Sequence, residues 1–93
     1  MASLAAQPRY AQFVVLATER HEAMLAVSAF RLRTRGRELT DAEAAELKQL
    51  GVAVGKAGER MDDLGARPGW TQDDYLVMDY IVGELIRTRP PGS

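Results

Sequence analysis

A chain of 93 residues and 10.2 kDa has room for one small domain. Area scaling lets about 64% of its unfolded surface leave water, which supports a single core but no two-lobed cleft or large cofactor-binding fold. A hydrophobic content of 46% beside 27% charged residues is globular rather than disordered composition, and a net charge of −1 argues against generic nucleic-acid binding, which needs a basic face.

Cysteine is absent. That removes disulfides, thiolate nucleophiles and Cys-ligated metals, and fits a reducing, cytoplasmic setting. The excess of Arg over Lys and the many Ala are the composition of a GC-rich, bacterial genome. Met1–Ala6 lacks a basic leader and Ala11–Thr18 is too short for a signal core. No uncharged run is long enough to span a membrane. The charge is uneven: residues 1–39 carry six Arg against Glu19, Glu22 and Glu38, a balance of +3, while residues 40–93 balance at −4.

Proline and glycine divide the chain into three helical segments with no strand candidate. The first, residues 9–35, opens after Pro8, a helix-start signal. Its apolar residues Tyr10, Phe13, Val14, Ala17, Met24, Leu25, Val27 and Leu32 mostly recur at spacings of three and four. Gly36 stops it, and the basic residues before that stop suit the helix dipole.

The second segment, residues 41–64, begins at Thr40-Asp-Ala-Glu43, a capping box in which each side chain satisfies a free backbone amide of the other. Leu47, Leu50, Val54, Ala57, Met61 and Leu64 then form a regular helix-packing seam. Gly51, Gly55 and Gly58 oppose helix formation by about 3 kcal/mol together. The segment reads as one helix, with Gly51–Gly55 the place for a kink or for a close backbone approach.

The third segment, residues 72–88, follows the turn Gly65-Ala-Arg-Pro-Gly69. Thr71 is its N-cap, and Asp73 and Asp74 lie in the first turn, where the dipole favours acids. Tyr75, Met78, Val82 and Leu85 read as its inner face. Residues 1–7 and 89–93 read as flexible tails.

The predicted fold is all-α, a three-helix antiparallel (up-down-up) bundle forming a single domain. Tyr10, Phe13, Met61, Leu64 and Trp70 should pack together at one end. The third helix, about 25 Å long, is too short to cover the other end, near Phe30, Leu32, Leu39 and Leu47. That apolar end calls for a second copy or another protein.

Several constellations invite chemistry. His21, the only histidine, lies on an apolar face, level with Gly55 and Glu84, so a core or interface histidine bonded to a carboxylate is the expected role. A phosphoacceptor has to be exposed. With Arg20 and Glu84, His21 makes the one candidate polar site. No second histidine follows at zincin spacing, and no Glu-x-x-His pair is present, so no metal or other cofactor is expected. Gly51-Val-Ala-Val-Gly55-Lys56-Ala57 is too short between its glycines for a phosphate loop and follows a helix instead of a strand.

Arg31, Arg33, Arg35 and Arg37 place four positive charges at one tip, suited to bidentate contacts with an acidic partner. The expected function is a non-catalytic protein–protein interaction module (adaptor, inhibitor or regulatory subunit), self-associating as a homodimer or binding another protein. Arg31, Leu32, Arg33, Arg35, Arg37, Leu39 and Leu47 would carry it. Tyr80, off the inner face of the third helix, is an aromatic anchor candidate. The alternatives are a nucleic-acid accessory protein using Arg31–Arg37, and a small helical enzyme or His-phosphotransfer module using Arg20 and His21.

Overall fold

The computed structural model describes residues 7–90, and the tail segments 1–6 and 91–93 lie outside them. A single 3-10 turn, Pro8–Tyr10, leads into α1 (Ala11–Arg33), followed by α2 (Asp41–Gly65) and α3 (Gln72–Thr88). Among the described residues there is no strand. Among them, too, no helix is long and apolar enough to cross a membrane.

Each boundary has a local cause. Pro8 supplies the fixed φ of a first turn, and the Tyr10 amide donates to the Gln7 carbonyl at 3.0 Å. At the other end of α1, the Thr34 hydroxyl donates to the Phe30 carbonyl at 2.9 Å. Gly36 then takes a φ of +80°, the left-handed conformation that glycine adopts without strain. Both later helices open on reciprocal capping boxes, Thr40 with Glu43 and Thr71 with Asp74. Helix α2 runs unbroken through Gly51, Gly55 and Gly58. Packing of its seam on α1 outweighs the propensity cost of those glycines.

Helix α1 carries the other two: α2 and α3 each pack on it and scarcely touch one another. The main core lies where all three meet, with Tyr10, Phe13, Ala17, Met61, Leu64, Met78 and Ile81 buried and Trp70 packed against them. Trp70 donates its indole N–H to the Leu64 carbonyl at 2.8 Å and stacks on Tyr10 with ring centroids 6.4 Å apart. The molecule measures 47 × 27 × 17 Å, longer and thinner than the near-spherical shape that about 93 residues give when packed evenly.

The buried face of α3 differs from the sequence reading. Asp74, Met78 and Ile81 are buried, whereas Tyr75 is 44% exposed. The cause is the carboxylate. Asp74 accepts from the Arg9 Nε at 3.0 Å, from the Tyr10 hydroxyl at 2.8 Å and from the Thr71 amide at 2.8 Å. These bonds turn Asp74 toward α1 and rotate Tyr75 to the flank.

Candidate interaction surface

Helix α3 reaches along α1 only as far as His21, whose Nε2 lies 2.6 Å from the carbonyl of Arg89 just past the end of α3. Beyond that level α1 has α2 alone beside it, so the molecule divides into a proximal three-helix half and a distal hairpin half. In the distal half, Phe30 and Thr34 are buried. Leu32 is 49% exposed, and Leu39 and Val52 also stand in water. Leu47 is half-buried, so it offers less outer surface than Leu32.

The arginines of the tip divide by role. Arg37 pairs with Glu43, and Arg33 pairs with Glu46 at 3.2 Å while its guanidinium lies 5.1 Å from the Phe30 ring centroid. Glu43 therefore titrates at about 2, lowered from 4.5 first by its hydrogen bond from Arg37 and then by the Thr40 amide. Arg31 and Arg35 make no ion pair among the described residues. The cluster is thus part brace and part free charge.

Two hollows lie along the side of α1 that faces between α2 and α3. The larger, about 550 Å³, is a groove floored by Phe13, Met61 and Met78, with Arg20 beside them and Asp62 and Asp79 on its two walls. The Tyr75 hydroxyl closes its loop end by donating to the Gly65 carbonyl at 2.6 Å. The smaller, about 320 Å³, lies in the distal half among Met24, Val27, Ser28, Arg31, Gly51 and Val54. Gly51 lines the smaller hollow; a Cβ on Gly51 or Gly55 would meet nothing within 4 Å, and one on Gly58 would meet only the Arg20 Cδ at 3.9 Å.

The candidate polar site does not assemble. Arg20 points into the groove wall region, His21 is 3% exposed beneath Arg89, and Glu84 is half-buried. No hydrogen bond joins the three among the described residues. The acceptor for His21 is a backbone carbonyl, so the expected carboxylate bond to Glu84 is replaced by a tie between α1 and the end of α3. Arg89, placed by sequence in the terminal tail, is also within 3.5 Å of Glu22. Tyr80 stands 47% exposed on the outer side of α3, one turn from Leu76 at 63%.

The polar cluster that sequence reasoning missed is Arg9, Tyr10 and Asp74. The Asp74 carboxyl is held well below the usual carboxylate range, first by the Arg9 guanidinium and then by the Thr71 amide. Its effect on Tyr10 is the reverse, raising the phenol above its ordinary value through the shared hydrogen bond. Arg9 also lies 5.1 Å from the Trp70 ring centroid. The cluster fastens the start of α3 to the start of α1, and its one signal in the sequence is an Asp at the third position after the Thr71 cap. Comparison with known proteins finds no matching family model, curated protein or solved structure.

Proposed function

We propose that the chain is a non-catalytic protein–protein interaction module, an adaptor, inhibitor or regulatory subunit, that works through the hairpin half left bare by α3. The observation that carries this reading is Leu32 at 49% exposure in the half that α3 does not reach, beside Arg31 and Arg35, which make no ion pair among the described residues. Apolar surface of this kind gains about 25 cal/mol per Å² when a partner removes it from water, and flanking arginines add directional contacts.

The helix order that suits this role is up-down-up. Glu19 pairs with Arg60 and Arg33 with Glu46, which supports opposed α1 and α2. Arg9 meets Asp74 and His21 meets Arg89, which supports α3 running with α1. Gly51–Gly55 is the stretch where α2 bends at least cost when a partner seats. A cysteine-free chain suits the reducing cytoplasm for such work.

The test is affinity capture from a lysate of the source organism, with nuclease present, comparing three baits of equal helicity by circular dichroism. These are the wild type, Leu32→Glu in the distal half, and Val15→Glu at a proximal site that is 55% exposed. Loss of the stoichiometric protein with Leu32→Glu, and its retention with Val15→Glu, is the expected result. A captured set unchanged by Leu32→Glu, or one that disappears with nuclease, contradicts the reading.

A further inference from the structure

We infer that the occupant of the bare half is a second copy of this chain, laid end for end, so that the distal part of α1 in each copy meets the groove between α2 and α3 of the other. The inference rests on the interaction reading above and names its partner.

Shape is the first support. Helix α3 has 17 residues and extends about 25 Å. It leaves residues 23–33 of α1 without a neighbour on that side, roughly another 17 Å. A reversed copy brings its own α3 to that vacancy. The side of α3 it would present carries Tyr75 and Ile86, which are 44% and 41% exposed, with Val82 between them in the groove wall. Those residues, spaced by seven and four, share one face of the helix, and Met24 and Leu32 are the apolar surface they would meet.

Charge supplies the second support. Arg31 lines the distal hollow and Asp79 lines the proximal groove, and neither has an ion-pair partner among the described residues. The contacts of Asp74 with Arg9 and of Arg89 with His21 place Asp79 level with Phe13 of α1, a residue of the same groove. Pairing Arg31 of one copy with Asp79 of the other then sets the two-fold axis midway between positions 13 and 31, at Glu22, the middle of α1 (Ala11–Arg33). The register that matches the charges is also the one that overlaps the two molecules along their whole length.

Symmetry is the third. The contact is isologous, so both copies are satisfied and the assembly closes at two. Gly51, whose missing Cβ would meet nothing within 4 Å, leaves the α2 backbone open beside the incoming helix.

The experiment is sedimentation equilibrium over a micromolar concentration series with the wild type, Leu32→Glu, Arg31→Glu and Asp79→Arg. Arg31, Leu32 and Asp79 are exposed, so circular dichroism should show intact helices in every variant. The wild type is expected to dimerise, and each charge variant alone to weaken self-association by on the order of tenfold or more, because like charges then face each other. Mixing Arg31→Glu with Asp79→Arg restores opposite charges at both contacts of the mixed pair and should restore the dimer. A wild type that stays monomeric overturns the second-copy inference, while the capture experiment still judges the interaction reading. A dimer broken by Leu32→Glu but indifferent to the charge variants overturns this pairing and leaves the distal surface in place. A dimer indifferent to all of them overturns both.

Discussion

The proximal and distal halves share two helices and differ in what the third adds. Where α3 is present, seven buried residues from all three helices form one cluster, and Arg9, Tyr10, Asp74 and Trp70 tie its rim with directional bonds. Where α3 is absent, the two-helix seam buries Phe30 and leaves Leu32, Leu39 and Val52 in water. The main core is thus concentrated in the proximal half, and on the function proposed above the distal half is the part a partner completes. A two-layered hairpin buries one face per helix and has no remaining element to cover the next.

The largest effects should come from the cores of the two halves. Phe13→Ala is expected to cost about 3–5 kcal/mol in urea unfolding, as for a buried aromatic in a tight core. Phe30→Ala should cost clearly less, since only two helices surround it and the site can collapse. Equal losses would show that the halves hold equal shares of the stability.

Next in size is the polar tie of the proximal half. Asp74→Ala strands the buried Tyr10 hydroxyl, removes the ion pair with Arg9 and removes the reciprocal cap of α3, so thermal unfolding should shift down more than for any single surface ion pair. Because the Asp74 carboxyl is held below its ordinary range and Glu43 is lowered to about 2, both contribute stability that is complete above the ordinary carboxylate range. That contribution is lost as pH falls from about 4, through the value of Glu43 and then on toward the lower value of Asp74. Unfolding midpoints measured from neutral pH down to strong acid should fall in that window, and the fall should be smaller in Asp74→Asn. A variant with an undiminished acid transition would remove Asp74 from the account.

Smaller still, and of opposite sign, is Gly55→Ala. The new methyl meets nothing within 4 Å, so α2 should gain about 1 kcal/mol from helix propensity, read in the same urea titration. Arg33→Ala breaks a pair whose side chains are 58% and 50% exposed, and the expected change is within about 0.5 kcal/mol.

The parts of this fold that depend on local chemistry were legible in the sequence. Thr40 with Glu43 and Thr71 as a cap are short-range signals, and the α2 seam from Leu47 to Leu64 is plain periodicity. Helix lengths alone put Phe30, Leu32, Leu39 and Leu47 at an uncovered end; Leu32 and Leu39 are exposed there, whereas Phe30 is buried and Leu47 half-buried. The inner face of α3 was not legible, because hydrophobic spacing cannot count a buried carboxylate: Asp74 replaces Tyr75 through Arg9 and Tyr10, 65 and 64 residues away. The candidate site was legible in part for a similar reason. Arg33 and Arg37 look like free charge until Glu46 and Glu43 arrive from the next helix, and the His21 acceptor is a carbonyl that no side-chain pattern marks. The groove between α2 and α3 depends on how far two helices that both pack on α1 splay apart, which no residue spells out.

The docking role proposed for the distal half is tested by amide hydrogen exchange at two protein concentrations. At low concentration, amides of residues 22–33 and 41–54 should exchange well before those around Phe13, Met61 and Met78. Raising the concentration should slow exchange in that distal stretch and along the Tyr75–Ile86 side of α3, with the proximal core unchanged. Uniform protection along α1, unmoved by concentration, would contradict the account.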